Sequence, residues 1–282
     1  MDIPRDRFVR FRELTELLDA LAAARPDLVS LGEIGRSHED RPIILATVTN
    51  TATGPHHEKP ALWIDANIHA TEHTGGTAAL NLIHKLITEH GTDPDVTRVL
   101  DTRCFYVVPR MNPDGVELAL GERPRFVRSS AREWPRTDQQ DGLIPEDIDG
   151  DGRILTMRVP DPNGTWKAYF DDPRLLVPRD PTEDGAKPGD GPYYRLLPEG
   201  RIQNYDGVTI AHAPPLAGLD MNRNYPVEWR TEGEQTGAGP YPTSEPEIRA
   251  VVQAIVDRPN ITAFIQYHTM SGVHLRPYGT KS

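Results

Sequence analysis

The chain has 282 residues, and its 31 Lys and Arg against 42 Asp and Glu give a net charge of −11. A field of this sign repels phosphate backbones and anionic bilayers, so we predict no nucleic-acid partner. The sequence contains no run of the ~18 apolar residues that a membrane-spanning helix needs, and we predict no membrane partner. The first residues show no secretory leader, so we expect a cytoplasmic location unless a leader was omitted.

The first third of the chain alternates between helical and strand patterns. Apolar residues at helical spacing from Leu14 to Ala22 predict an amphipathic helix that ends before Pro26. The β-rich runs at residues 28–35 and 43–48, joined by a turn, predict an antiparallel hairpin. The chain therefore opens with a helix and a pair of strands.

Three apolar runs predict buried strands of a mainly parallel sheet: residues 62–68, 104–108 and 261–267. Helices are expected at residues 74–89 and 245–257, and Ser244-x-x-Glu247 matches a capping box for the second of them. The single cysteine, Cys104, lies in one of the apolar runs and should be buried and free of disulfides. The fold class is α/β, with a mixed sheet flanked by helices.

Residues 116–215 have a different composition, rich in Pro and Gly. This segment predicts a loop-rich insertion without a hydrophobic core of its own. We therefore expect one domain, interrupted by this insertion.

Two of the predicted buried strands end at a histidine, His69 and His268. Ligands of open α/β sheets bind outside the carboxyl ends of the strands. The His69-x-x-Glu72 spacing suits two ligands of a tetrahedral zinc, and three protein ligands with an open fourth position are typical of catalytic zinc. Taken alone, the same residues are equally consistent with histidines that bind no metal.

The segment Asp220-Met221-Asn222-Arg223-Asn224 places a guanidinium next to an amide. This pair can hold a carboxylate through parallel hydrogen bonds. The alternative is a solvated arginine in a loop.

The insertion also contains Asp147, Asp149 and Asp151 at positions 1, 3 and 5 of an EF-hand-like loop, with Gly152 at position 6. This spacing raises the hypothesis of a Ca²⁺ site. Position 12 is Arg158 where an EF-hand has Glu, so a solvated acidic turn is an equal alternative.

Four motifs occur together in one order along the chain. They are His69-x-x-Glu72, Asn112-Pro113-Asp114-Gly115, Asp220-Met221-Asn222-Arg223-Asn224, and His268 followed by Leu275-Arg276-Pro277-Tyr278-Gly279. Together they resemble the zinc carboxypeptidases of the carboxypeptidase A type, from about residue 10 to the end of the chain except for the insertion. The resemblance implies a carboxypeptidase A-like catalytic domain over residues 1–282 with 116–215 as an insertion.

The resemblance also implies roles for individual residues. His69, Glu72 and His268 would be the ligands of one Zn²⁺. Arg128 would polarise the scissile carbonyl and stabilise the oxyanion, although a solvated arginine is the alternative. Asn222 and Arg223 would bind the terminal carboxylate of a peptide or acyl-amino-acid substrate, and Asp220 would accept a hydrogen bond from the His69 imidazole.

The chain departs from the family pattern in three places. Thr71 stands where many members have Arg, Thr269-Met270 replaces Ser-Tyr, and no residue after His268 is Asp or Glu, whereas the family's general base is a Glu beyond the third ligand. We therefore expect a chain that is incomplete at its C-terminus and hydrolyses poorly. The predicted function is zinc-dependent carboxypeptidase hydrolysis. The alternatives are a non-catalytic member that binds peptide C-termini and a calcium-stabilised interaction module.

Overall fold

The structure, a computed structural model, describes residues 3–122, 124–180, 192–270 and 272–276. Its helices are α1 (Phe11–Ala24), α2 (His73–Glu89), α3 (Pro94–Thr102), α4 (Pro113–Ala119) and α5 (Pro246–Val256). Its strands are β1 (Val29–Arg36), β2 (Pro42–Val48), β3 (Ala61–Ala66), β4 (Cys104–Val108), β5 (Gly142–Pro145), β6 (Thr156–Pro160), β7 (Trp166–Ala168), β8 (Leu176–Pro178), β9 (Tyr193–Pro198), β10 (Gly200–Gln203) and β11 (Ile261–Tyr267).

The chain divides into two compact units. Unit 1 comprises Met1–Gly121, Phe126–Asp138 and Pro215–Ser282, and unit 2 comprises Glu122–Arg125 and Gln139–Pro214. Every residue for which the sequence predicts a role in zinc or substrate binding belongs to unit 1.

Unit 1 is built on a five-stranded mixed sheet in the order β1-β2-β4-β3-β11. β1 pairs with β2 and β2 with β4 in antiparallel fashion, whereas β3 lies parallel to both β4 and β11. The α/β class, the hairpin, the buried strands β3 and β4 and the predicted helices are thereby confirmed, whereas β11 forms as predicted but is not buried. In the described part of the chain β11 is an edge strand, and Phe264 and Ile265 on it are 47% and 44% exposed.

The sheet is covered by apolar side chains on both faces, because successive residues of a strand point in opposite directions. On β3, Ile64 belongs to the cluster that also contains Leu18 of α1 and Leu80 of α2. Its neighbour Trp63 belongs to a second cluster with Ile248 of α5. Cys104 is buried in this second cluster and is free of disulfides, as predicted. The central strands are therefore covered by helices on both faces, and a ligand can reach them only at the strand ends.

Unit 2 consists of small antiparallel sheets. β5 pairs with β10, and β6, β9, β7 and β8 form a four-stranded sheet in that order. The composition of this segment predicted loops, and these short strands were not anticipated. Few apolar side chains of its described residues are buried; Leu143, Tyr193, Leu197 and Ala213 are the examples.

The start of α5 differs from the predicted capping box. Glu245 occupies the N-cap position without a side-chain cap, and Pro246 begins the helix. The Ser244 hydroxyl donates to Glu245 Oε1, while Glu247 Oε1 accepts from the backbone N–H of His38. Ser244 Oγ also accepts from the Asn224 amide, so both residues make tertiary contacts and do not cap each other. None of the helices in the described ranges has the length and apolarity to cross a membrane.

Candidate metal site

The sequence-predicted zinc ligands converge at the carboxyl ends of two neighbouring parallel strands. His69 follows β3, Glu72 immediately precedes α2, and His268 follows β11. The Nδ1 atom of His69 lies 2.8 Å from Glu72 Oε1, and His268 Nδ1 lies 2.9 Å from Glu72 Oε2. The two Nδ1 atoms are 3.2 Å apart. Because β3 and β11 are adjacent and parallel, they bring these three side chains to one edge of the sheet.

This donor set fits zinc. Two imidazole nitrogens and a carboxylate oxygen lie within 4.8 Å of one another. A tetrahedral zinc with Zn–N distances of ~2.0–2.1 Å keeps two ligand nitrogens about 3.3 Å apart, close to the observed separation. Two unprotonated Nδ1 atoms repel each other at this distance, and a cation between them removes the repulsion.

Asp220 anchors the His69 imidazole from the other side. His69 Nε2 lies 3.1 Å from Asp220 Oδ1, which also accepts from the backbone N–H of Asn222. Burial by itself would raise the pKa of Asp220, but the hydrogen bond and charge of His69, together with the charge of Arg128, lower it to about 2. The carboxylate is therefore ionised and favours the tautomer of His69 in which Nε2 carries the proton.

Arg128 lies beside the same carboxylates. Its Nε donates to Asp220 Oδ2 at 3.2 Å, and its terminal NH1 is 3.7 Å from Glu72 Oε1. The side chain is 46% exposed, so part of the guanidinium faces solvent above the site. A cation in this position can stabilise negative charge that develops near the metal.

A buried hydrogen-bond network fixes the backbone at Arg128, and the sequence did not reveal it. The N–H of Ala70 donates to Arg128 O at 3.0 Å, and the Ser129 hydroxyl donates to Ile68 O at 2.7 Å. The Asn112 amide donates to Ser129 O at 2.6 Å and more weakly to Ile68 O. Asn112 opens the Asn-Pro-Asp-Gly motif, so this motif ties the segment containing His69 to the segment containing Arg128.

Asn67 is a second contributor that the sequence did not single out. Its φ of 58° lies in the left-handed region, which Asn tolerates better than most residues. Its amide donates to the backbone carbonyl of Glu72 at 2.6 Å. Asn67 therefore closes the loop that carries the first two ligands; an Asn directly after a buried strand was the available signal.

The structure places Asn222 and Arg223 on a short 3₁₀ helix, Met221–Arg223, that starts directly after Asp220. The Arg223 side chain is exposed and one of its N–H groups donates to Asn222 O at 3.2 Å. The other N–H groups of the Arg223 guanidinium are exposed to solvent, close in sequence to Asp220.

The acidic loop of unit 2 gives no support for calcium. Asp147 accepts from the N–H groups of Gly150 and Gly152, and Asp149 and Asp151 each accept from a backbone N–H two residues further on. Although the three carboxylates lie near one another, these bonds are those of a solvated acidic turn. Of the fourth motif, Pro277, Tyr278 and Gly279 lie outside the described residues.

An open mixed sheet with a His-Glu-His donor set at its carboxyl edge defines an α/β protein with a candidate metal site of the kind that hydrolases use. The chain belongs to the zinc carboxypeptidase family, which matches residues 14–282.

Individual relatives agree with this assignment. Carboxypeptidase A2 of Mus musculus is 27% identical over 270 residues, which are 95% of this chain and 46% of the relative. Carboxypeptidase A1 of Sus scrofa is 27% identical over 271 residues, 96% of this chain and 46% of the relative. The chain thus spans about half the length of these relatives.

Solved structures show the same fold. The carboxypeptidase A of Helicoverpa armigera superposes with a TM-score of 0.55 at 19% identity, covering 95% of this chain and 47% of that chain. Thrombin activatable fibrinolysis inhibitor superposes with a TM-score of 0.54 at 19% identity, covering 94% of this chain and 48% of that chain. The carboxypeptidase A-like fold expected from the sequence is confirmed.

Proposed function

We propose that this protein is a zinc-dependent metallocarboxypeptidase that acts on the C-terminal peptide bond, or a related amide bond, of a substrate with a free carboxylate. The observation that carries this proposal is the convergence of His69, Glu72 and His268, with both imidazole Nδ1 atoms facing the same carboxylate. These three residues would hold the zinc. Bound there, zinc would supply Lewis-acid polarisation of a carbonyl and lower the pKa of a water molecule.

The surrounding residues of this chain would bind and orient the substrate. Arg128 would donate to the oxygen of the scissile carbonyl as negative charge develops on it. Asn222 and Arg223 would hold the terminal carboxylate, because an exposed planar guanidinium beside an amide offers several N–H donors. Asp220 would keep the His69 imidazole in its orientation.

Proton transfer is expected to limit the rate. Within the described residues the site contains the carboxylates of Glu72 and Asp220; Glu72 would be a zinc ligand, and Asp220 accepts a hydrogen bond from His69 Nε2. Neither is a free general base, and general acid–base catalysis is worth about 10²- to 10⁴-fold. We therefore expect measurable binding of peptides with slow turnover.

Carboxylate recognition by Arg223 provides the test. A peptide with a free C-terminus should bind the zinc-loaded protein more tightly than its C-terminally amidated form, and Arg223→Ala should abolish the difference. The loss should be about 2–5 kcal/mol, the range for truncating one partner of a charge pair that becomes buried. Titration calorimetry measures the affinities, and mass spectrometry detects release of the terminal residue.

Arg12→Ala, which removes an arginine that is 92% exposed on α1, is the matched control and should bind both peptides as the wild type does. Equal affinity of the wild type for both peptides would refute C-terminal recognition. Binding of the free acid without any release of the terminal residue would instead favour a non-catalytic binding protein.

A further inference from the structure

We propose that Gln266 is a positioning residue that holds His268 in the tautomer whose Nδ1 lone pair faces the metal site, and that buried Asp65 sets the orientation of the Gln266 amide. This inference rests on the proposed metal site. It adds two residues whose side chains touch neither metal nor substrate but determine whether one ligand is ready to bind.

The two ring nitrogens of His268 face different partners. Nε2 lies 3.0 Å from Gln266 Oε1, while Nδ1 lies 2.9 Å from Glu72 Oε2. A neutral imidazole carries one proton, so donation from Nε2 to an amide oxygen leaves the lone pair on Nδ1. His69 shows the same arrangement with a carboxylate, because its Nε2 faces Asp220.

Gln266 can serve this role in only one of its two amide orientations. The carbonyl and NH₂ ends of the side chain have nearly the same shape. With the NH₂ end toward His268, Nε2 would become the acceptor and the proton would move to Nδ1, which blocks the ligand position. Something must therefore favour the orientation in which the carbonyl faces the imidazole.

Asp65 supplies that preference. It lies opposite Gln266 in the parallel pairing of β3 with β11, and it is fully buried. Asp65 Oδ2 accepts from Trp63 Nε1 at 2.8 Å, whereas Oδ1 has no hydrogen-bond partner. A buried carboxylate attracts the NH₂ end of a neighbouring amide and repels its carbonyl end, so Asp65 turns the Gln266 carbonyl toward His268.

Two further observations agree with this orientation. Burial raises the pKa of Asp65 to about 6, against the opposing effects of the Trp63 and Gln266 side chains, so the carboxylate is mostly ionised at neutral pH. The buried hydroxyl of Tyr225 interacts electrostatically with both Asp65 and Gln266, and it adapts to either amide orientation because a hydroxyl both donates and accepts. The Gln266 NH₂ group also lies 3.9 Å from Met111 Sδ, which is a weak acceptor, so the negative charge of Asp65 is the stronger influence on the orientation.

The experiment uses the full chain with two readouts. The ¹⁵N shifts of the His268 imidazole in the metal-free protein report its tautomer, and competition with a chromophoric chelator reports the zinc affinity. In the wild type we expect Nε2–H. In Gln266→Leu the acceptor is lost, and zinc affinity should fall about 10- to 100-fold, the usual effect of removing a partner of a metal-ligating histidine.

Asp65→Asn is the sharper variant because it is isosteric and distant from the metal. Its amide oxygen keeps the Trp63 bond, and its NH₂ then faces Gln266, which turns the Gln266 carbonyl away from His268. We expect Nδ1–H on His268 and a similar loss of zinc affinity, and the variant tests the inference even where Gln266→Leu fails to fold.

Two control variants should keep the wild-type tautomer. Gln266→Glu retains an acceptor and should keep Nε2–H. Gln253→Leu, the same change at an exposed position of α5, should behave as wild type.

Wild-type zinc affinity and an Nε2–H tautomer in Asp65→Asn would overturn the inference and leave the metal site intact. Absence of zinc binding by the wild type would overturn the proposed function itself. The two failures are therefore distinguishable.

Discussion

At the scale of single residues, Glu247 is a buried carboxyl group outside the metal site. It is fully buried in the first turn of α5, where Oε1 accepts from the N–H of His38 at 2.9 Å and Oε2 has no partner. Burial raises the pKa of this carboxyl to about 7. A group of this kind destabilises the fold when it is ionised.

The stability of the protein should therefore depend on pH through Glu247. The pKa of Glu247 is about 7 in the folded protein and 4.5 in the unfolded chain. The protonated carboxyl therefore contributes its full stabilisation below pH 4.5, and this contribution is lost as the pH rises through about 7. The loss is of the order of 3 kcal/mol at full ionisation. Glu247→Gln is neutral at every pH, so it should be more stable than wild type at pH 8 and differ little at pH 4.

Urea unfolding of both proteins at the two pH values measures this effect. Glu16→Gln, at an exposed position of α1, is the control and should follow the wild type. Identical pH dependence in Glu247→Gln and wild type would contradict the assignment.

The sequence allowed some site residues to be predicted and concealed others for a physical reason. His69, Glu72 and His268 could be proposed because strand ends and ligand spacing are local patterns. Asn67 acts through a left-handed backbone conformation and a bond to the Glu72 carbonyl, and Gln266 acts through pairing with a distant strand. Such roles depend on tertiary contacts that no local pattern records.

At the scale of elements, the cap of α4 also joins the segments around the site. Asn112 Oδ1 accepts from the N–H of Gly115, while its amide reaches the carbonyls of Ser129 and Ile68. Asn112→Ala should leave the buried Ser129 carbonyl and the Gly115 N–H unsatisfied, whereas Ile68 O keeps its bond from the Ser129 hydroxyl, and should cost roughly 1–3 kcal/mol. It should also weaken zinc binding, because the segment of Ile68 leads directly to His69.

Urea unfolding and zinc competition on Asn112→Ala give both quantities. Asn81→Ala, which removes an amide bonded to the Thr77 carbonyl within α2, is the control and should leave zinc affinity unchanged. A loss of stability without any change in zinc affinity would show that Asn112 only caps α4.

The edge strand β11 predicts self-association. Its described edge is unpaired, and Phe264 and Ile265 are each nearly half exposed. An apolar strand with free N–H and C=O groups pairs readily with another chain. We expect concentration-dependent association in sedimentation velocity, suppressed by Ile265→Lys but not by Val227→Lys, at an exposed position elsewhere in unit 1. A wild-type chain that stays monomeric over the full concentration range would contradict this expectation.

Short elements were the ones that the sequence did not reveal. α3 starts with Asp93 as its N-cap and Pro94 in its first turn, a recognisable start signal. The helix is only nine residues long and contains few apolar side chains, of which Leu100 is buried, so its apolar pattern is too short to stand out. The strands of unit 2 are short and most of their side chains are exposed or only partly buried, so they give an equally weak signal.

At the scale of the whole molecule, hydrophobic patterning predicted the class of the fold but not the order of its strands. Continuous apolar runs mark β3 and β4 as buried, because a strand covered on both faces has no polar side. The run of β11 gives the same signal, yet in the described part of the chain β11 is an exposed edge strand. The placement of β4 between β2 and β3 follows from packing between segments far apart in sequence. The motifs indicated the family because four weak patterns occur in one order.

The most direct test of the account is the zinc content of the purified chain after dialysis against a mild chelator. Mass spectrometry with an inductively coupled plasma should find one zinc per wild-type chain and almost none in His69→Ala and His268→Ala, since each loses one of three protein ligands. His57→Ala, which removes an exposed histidine, should retain its zinc. Stoichiometric zinc in both ligand variants, or none in the wild type, would contradict the proposed metal site.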